Sequence, residues 1–546
     1  MDPDALIQFI AFIIFTGSVG FFSWRATRRD DKNTSTGYFL AGRSLPWIVV
    51  GGSLLLTNLS TEQLVGLNGG AFSNGMQVMA WEVWSSIAIV LMALVFLPRY
   101  LKGGVATVSA FLERRYSKAV GTAVSVLLLL SLLTNLLPFV LYSGALFMRE
   151  VFGISAIFGD NDSLALWVTV IALGVVGSLY AIFGGLKAVA ISDTFNGLGL
   201  LIGGLLIPVL GLIALGNELG GGGGFSAGVS YLAENKPERL SPIGKEDENI
   251  PFSTLFTGML LITTYYWCTN QAIVQRTFAS RSLAQGQKGV LFAAGMKLLG
   301  PLYLVLPGII AWHLFGEGIE GGGDNAYGKL VTHTLPTWMG GFFAAVIFGA
   351  ILSSFNSSLN SAATLFSIDI YKGLIRPQAS DGQMVKAGKI FGIVIALGAI
   401  ILAPLIDTLK AAGFDGLFDL MKNLAALYNI PLLAVVLMGI FHKRVTSAGA
   451  MAAIVVGFVF WAVFGLWKEN NLFGWEMHWL HLAAINFVLI TLIMVVMALV
   501  SPREEAYQQV YTGEVDVTPW KGAKACGIII LVLIALMYLA MSRFGV

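Results

Sequence analysis

Apolar runs recur along the chain near residues 5–24, 46–71, 76–98, 119–148, 164–185, 189–216, 251–274, 287–315, 335–371, 385–406, 412–440, 447–467, 478–500 and 523–545. An α-helix needs about 20 apolar residues to cross about 30 Å of hydrocarbon, so each run is of spanning length. Lipid offers no partner for a free backbone N–H or C=O, which leaves helices or a closed barrel as spanning elements. The period-two alternation of barrel strands is absent. The fold class expected is therefore an all-α membrane protein of about 14 transmembrane helices. Composition agrees, since 56% of the 546 residues are hydrophobic and only 12% are charged, far from the balance of a water-soluble domain.

The distribution of charge adds an orientation. Loops on the cytoplasmic side are enriched in Lys and Arg. With the N-terminus outside, alternate loops place 23 of the 33 basic residues inside and eight outside, and Lys297 and Lys422 fall within spans. Both termini are thus expected outside the cytoplasm, with membrane lipid around the helices. The net charge of +2 points to no nucleic-acid partner. The opening Met1-Asp2-Pro3-Asp4 lacks a basic n-region and runs into an apolar segment of spanning length, which reads as a retained helix rather than a signal peptide. Cys268 and Cys526 lie in separate apolar segments without CxxC or Cys/His spacing, and read as small core residues.

The stretch 217–250 interrupts the apolar pattern with Gly220 to Gly224 and a mixed-charge segment from Lys236 to Glu248. No GK[ST] follows and no strand precedes, so a flexible connector is expected rather than a phosphate loop. Five runs (46–216) precede it and five (251–440) follow, leaving one run before them and three after. Because five is odd, two such units must have opposite membrane topology, as in inverted-repeat transporters. The division expected is an extra helix and cytoplasmic loop (1–45), a first repeat (46–216), a periplasmic linker (217–250), a second repeat (251–440) and three peripheral helices (441–546).

Several runs carry polar residues where lipid-like sequence is expected. In the second, Thr57-Asn58-Leu59-Ser60-Thr61-Glu62-Gln63 implies an interrupted helix whose freed carbonyls can face an ion; alternatively the hydroxyls bond back to their own helix. The ninth carries Ser353, Ser354, Asn356, Ser357, Ser358, Asn360, Ser361 and Thr364. Hydroxyl and carbonyl oxygens without a carboxylate suit a monovalent hard cation such as sodium, whereas a divalent ion would recruit Asp or Glu. The same serines also permit close helix packing.

Charges inside a bilayer are costly and functional by default. Glu82 in the third run and Lys297 in the eighth form either a structural ion pair or the two ends of a cavity bridged by solute, with little net charge. Trp81, Trp84, Tyr265, Tyr266 and Trp267 offer aromatic faces, and Gln63, Ser85, Thr263, Asn270 and Gln271 offer neutral donors and acceptors. A polyhydroxyl solute needs both. Asp193 is either a cation relay or a partner for Lys187. His478 and His481 have the i, i+3 spacing of a metal face, but no carboxylate supports it and their place at the start of a run fits the interface. No nucleophile, base and orienter occur together, so an enzyme is not expected.

Four segments carry a resemblance: Tyr38-Phe39-Leu40-Ala41-Gly42-Arg43-Ser44-Leu45-Pro46; Gly184-Gly185-Leu186 through Asp193; Tyr266-Trp267 with Asn270-Gln271 and Gln275-Arg276-Thr277; and Leu359-Asn360-Ser361-Ala362-Ala363-Thr364 ending in Asp369-Ile370-Tyr371. Over essentially its whole length the chain resembles the solute/sodium symporters, specifically the bacterial sodium/galactose type related to the mammalian sodium/glucose cotransporters. The resemblance implies a bacterial inner-membrane protein with the five-plus-five inverted-repeat core of the sodium-coupled amino-acid transporters, one helix before it and three after. It implies a sodium ion held at Leu56, Leu59, Ala350, Ser353 and Ser354, with exit past Asp193. Solute contacts then fall on Gln63, Glu82, Ser85 and Lys297, with Tyr266 as an inner lid. Two positions depart from the galactose-type pattern: Thr263 stands where an asparagine is usual, and Asn423 is the best match for a glutamine. The function this implies is sodium-coupled import of a small neutral solute, a monosaccharide first and a zwitterion or vitamin second, by alternating access. A membrane sensor or a passive channel is the remaining alternative.

Overall fold

A chain this apolar must satisfy its backbone within helices, and among the described residues helices form with no strand beyond isolated bridges. The computed structural model describes residues 3–30, 32–159, 161–316, 318–319, 322–410, 417–466 and 477–545. Met1, Asp2, the start of the 412–440 run, the end of the 447–467 run and Lys468 lie outside the described residues.

The principal helices are α1 (Pro3–Thr27), α2 (Trp47–Asn58), α3 (Thr61–Asn74), α4 (Ala80–Leu91), α5 (Lys118–Ser131), α6 (Leu137–Phe152), α7 (Asp162–Glu218), α8 (Gly258–Cys268), α9 (Gln271–Phe278), α10 (Leu283–Lys297), α11 (Leu306–Phe315), α12 (Gly340–Leu365), α13 (Asp381–Leu402), α14 (Leu417–Phe441), α15 (Ser447–Phe460), α16 (Trp479–Val500) and α17 (Ala523–Met541). Eleven helical segments among the described residues are long and apolar enough to cross a membrane. The pair Leu283–Lys297 and Gly300–Phe315, bent by 52°, makes a twelfth if taken as one span. Fourteen were expected. The difference lies in two runs that the chain breaks midway: 46–71 parts between α2 and α3 at Leu59-Ser60, and 251–274 parts between α8 and α9 at Thr269-Asn270.

Both breaks follow from local sequence. Ser60 adopts extended geometry at the head of α3, and Asn270 caps α9 by accepting the Ala272 amide at 2.9 Å. The Asn270 cap competes with helix continuation. Around α2 the packing is close: a Cβ on Gly51 would stand 2.8 Å from the Gly289 carbonyl oxygen, so α2 and α10 meet backbone to backbone, as small residues permit in membranes. α12, with most of its residues buried, runs through the centre against α2, α6 and α7.

The sixth and fifth runs join without a loop, inside α7, at Gly185 (φ 69°, ψ 172°). This combination is open almost only to glycine, and it breaks the helix where Gly184-Gly185-Leu186 was read as a motif. The linker contains an 11-residue helix, Gly224–Glu234, folded back on α7, where a flexible connector was expected. Beyond it Arg239 sits 4.1 Å from the Trp312 ring centre and donates to the carbonyls of Ala71 and Phe72, capping the end of α3. Two basic residues counted as loop charges, Arg115 and Arg276, are fully buried. Arg115 serves carbonyls of Gly439 (2.9 Å) and His442 (2.8 Å) at the end of α14.

Replacing Gly185 with alanine is expected to cost about 1–3 kcal/mol of backbone strain, read as a lowered Tm of the purified protein. Gly392→Ala, where the added methyl would meet only Ile182 at 3.7 Å, is expected to leave Tm nearly unchanged. Equal shifts for the two variants would contradict the role assigned to Gly185.

Candidate functional site

Two places collect polar groups that lipid would expel: the crossing of the broken α2–α3 unit with α12, and a cavity beside it.

At the crossing, the break releases specific carbonyls. In a continuous helix the amides of Ser60 and Gln63 would bond to the carbonyls of Leu56 and Leu59. Here Ser60 N–H donates to the Asn58 carbonyl at 3.0 Å, and Gln63 N–H to the Ser60 carbonyl at 3.1 Å. The Leu56 and Leu59 carbonyls are thereby relieved of their helical donors. α12 supplies the opposite wall. Ser354 Oγ donates to the Thr57 carbonyl at 3.0 Å, Ser353 Oγ donates to Asp193 Oδ1 at 2.5 Å, and Thr57 Oγ1 and Ser357 Oγ lie 3.4 Å apart. Ala350 is one turn before Ser354 on the same helix. Each serine has committed its single proton, so its oxygen keeps lone pairs for a cation. Neutral oxygens from two helices are the donor set a small monovalent ion takes.

Asp193, on α7, is wholly buried and has three partners at this crossing: Ser353, Ser53 Oγ (2.7 Å) and the Arg276 guanidinium (3.6 Å). Arg276 in turn donates through Nε to Ser53 at 2.9 Å, and to Ser357 and the Ala272 carbonyl. Lys187 is not the partner of Asp193; it pairs with Asp30 at 2.8 Å. Sequence reading missed Arg276 as a site residue because it was assigned to a loop. The signal available was its place one turn into a capped segment, after Ala272-Ile273-Val274.

The cavity is nearly closed in this structure, with a volume of about 20 Å³, room for about one water. It brings together five of the seven expected solute contacts, Gln63, Glu82, Ser85, Thr263 and Tyr266, with Asn58, Trp81, Ile262, Phe418 and Lys422. Lys297 does not line it. Its ammonium lies behind Glu82, bonded to that carboxylate at 2.5 Å and to Asn58, with 1% of its side chain exposed. Asn423 does not line it either; its carbonyl accepts Trp461 Nε1 at 3.1 Å, and its neighbour Lys422 faces the cavity. One residue along a helix turns the side chain by about 100°, so a shift of one position exchanged an amide for an ammonium. The Gln63 Oε1 atom is buried without a hydrogen-bond partner. Ser85 and Thr263 donate to carbonyls of their own helices, to Trp81 at 2.6 Å and to Met259 at 2.9 Å, which leaves their oxygens able to accept.

The remaining motif residues hold the frame. Gln275 Nε2 lies 2.7 Å from the Phe39 carbonyl, 3.0 Å from Asn360 Oδ1 and 2.8 Å from Thr364 Oγ1, while Ser361 donates to its Oε1 at 2.8 Å. Asp369 accepts from Thr107 (3.0 Å), Ser125 (2.8 Å) and Ser109. His481 lies within bonding distance of Ser253 and Thr257, and His478 of the Asn249 carbonyl.

Comparison with known proteins matches residues 38–457 to the family model described as the sodium:solute symporter family. The chain is 43% identical over 539 residues to the symporter YidK of Escherichia coli (strain K12), covering 99% of this chain and 92% of that protein. It is 31% identical over 475 residues to a sodium/glucose cotransporter of Vibrio parahaemolyticus, covering 83% of this chain and 84% of the relative. It is 30% identical over 484 residues to the sodium/myo-inositol cotransporter 2 of Mus musculus, covering 84% and 69%. Among solved structures, a substrate-bound, outward-open sodium-coupled sialic acid symporter superposes with a TM-score of 0.73 at 19% identity, covering 92% of this chain and 99% of that one. At that identity the likeness is one of fold.

Removing one partner of a buried ion pair strands the other charge, at a cost of about 3–5 kcal/mol. Lys297→Met and Glu82→Gln are each expected to lower Tm strongly, and the double variant to lose much less than the sum. A double-mutant cycle on thermal stability measures this; additive losses would show that the two residues do not act as a pair.

Proposed function

The chain belongs to the sodium:solute symporter family, and we propose that it imports a monosaccharide-class solute with sodium by alternating access. It is a multi-pass membrane protein that uses sodium, and its relatives are transporters, not enzymes. The observation that carries the reading is the pair of carbonyls at Leu56 and Leu59, relieved of their helical donors opposite Ser353 and Ser354. With Ala350 they form the sodium site in this reading, and Asp193 is the next acceptor on the exit route.

The solute site is the cavity of Gln63, Glu82, Ser85, Thr263 and Tyr266, backed by Lys297 and closed on the inner side by Tyr266. Aromatic planes and unused oxygens suit a ring bearing hydroxyls, and the named glucose and myo-inositol relatives transport such solutes. The direct bond between Glu82 and Lys297 leaves neither free to hold one end of a zwitterion, which disfavours the second reading from sequence. The two broken runs, 46–71 and 251–274, each open a unit of five. This supports two inverted repeats, 46–216 and 251–440, joined by the linker 217–250. Counting each broken run as one span restores fourteen, with residues 1–45 before the core, 441–546 after it, and both termini outside the cytoplasm of a bacterial inner membrane.

Coupling is thermodynamic linkage between the two sites. One sodium ion moving inward through roughly 100 mV releases about 2.3 kcal/mol, and a roughly tenfold gradient adds about 1.4 kcal/mol. About 3.7 kcal/mol supports accumulation of a few hundred-fold. In proteoliposomes, Ser353→Ala combined with Ser354→Ala is expected to abolish sodium-dependent uptake, because it removes both side-chain oxygens while sparing the carbonyls. Undiminished sodium dependence in that variant would refute the site.

A further inference from the structure

Lys422 is the one charge facing the cavity that the proposed function leaves unused. Its side chain is 9% exposed, and among the described residues its ammonium forms no ion pair or hydrogen bond. Three aromatic rings hold it in place: Phe418 at 4.6 Å, Tyr266 at 5.3 Å and Trp81 at 5.5 Å from ring centre to Nζ. Ring faces attract a cation but accept none of its three N–H groups in the manner of an oxygen. The ammonium is thus positioned and still lacks acceptors.

The other charges around it do not fill that place. Glu82, the lining carboxylate, is bound to Lys297 at 2.5 Å. Glu62 attracts Lys422, but it stands outside the lining, forms no hydrogen bond to the ammonium, and accepts the Ser60 hydroxyl as its donor. A cation taken from water is stabilised by an opposite charge and by acceptors that meet its N–H groups. Lining residues other than Lys422 and Glu82 are neutral, and Gln63 Oε1 awaits a donor such as a sugar hydroxyl.

We infer that the solute carries one carboxylate, and that Lys422 is its counter-ion: the substrate class is a sugar acid of monosaccharide size rather than a neutral sugar. In this arrangement the carboxylate accepts from the Lys422 ammonium while ring hydroxyls donate to Gln63 and reach the Ser85 and Thr263 oxygens. The inference rests on the proposed sodium/sugar symport and sharpens its specificity.

The test uses the full chain in proteoliposomes with four probes, D-glucuronate and D-galacturonate against D-glucose and D-galactose, which differ only in a carboxylate for a hydroxymethyl group. Sodium-dependent uptake is expected to favour an acid over its neutral counterpart by about tenfold or more, and Lys422→Gln is expected to collapse that ratio toward one. Lys422→Arg, which keeps the charge, is expected to retain a preference for the acid. Sodium-driven uptake that favours the neutral sugars, or an acid preference unchanged in Lys422→Gln, would overturn the role of Lys422 and leave sodium/sugar symport standing. Sodium-dependent uptake of none of the four probes would overturn the sugar reading and this inference with it. The preference of the unaltered protein is decisive even if Lys422→Gln fails to fold.

Discussion

A helix broken inside hydrocarbon exposes carbonyls that no lipid can satisfy, and the rest of this molecule is arranged around that constraint. The break at Leu59-Ser60 would be intolerable on a lipid-facing helix. Here it is enclosed by α7 and by α12, whose serines face it. Enclosure also keeps the freed oxygens dry, and in low dielectric their attraction for a cation is strong. The element that costs backbone pairing is therefore the one that can gain an ion.

The charged residues are sorted around the same centre. Asp193 and Arg276 tie α7 and α9 to Ser53 on α2 and to Ser353 and Ser357 on α12. Arg276 holds a fixed positive charge one layer from the proposed sodium site, and Asp193 balances it. Glu82 and Lys297 form a second pair that ties α4 to α10, with Asn58 at the end of α2 as a further partner. Asn58 thus joins the ion crossing to the wall of the cavity. A movement of the break that accommodates sodium would be felt directly at Glu82, which gives the two sites a physical connection of a few residues.

Much of this was legible in the sequence, for identifiable reasons. Spanning runs are set by bilayer thickness, so all but the broken ones became continuous or bent spans. Gln63, Glu82, Ser85, Thr263 and Tyr266 share the cavity because polar residues in lipid-like sequence have few places to point. What was not legible depended on one helical turn or less. Lys422 and Asn423 differ by one position, and sequence does not fix which of two adjacent polar side chains turns inward. Arg276 reads as a loop charge because α9 is only eight residues long; its burial follows from Asp193, a residue 83 positions away in a different helix. The five glycines at 220–224 signalled a turn but not the helix that follows, whose packing on α7 is a tertiary choice.

The central claim is that occupancy of the α2–α12 crossing by sodium and occupancy of the cavity by solute stabilise each other. The most direct measurement is equilibrium binding to the purified protein, titrating solute in sodium and in potassium buffer, and sodium with and without saturating solute. The account predicts that solute tightens when sodium replaces potassium, and that sodium tightens by the same factor when solute is present. Solute affinity that is the same in both buffers would contradict it.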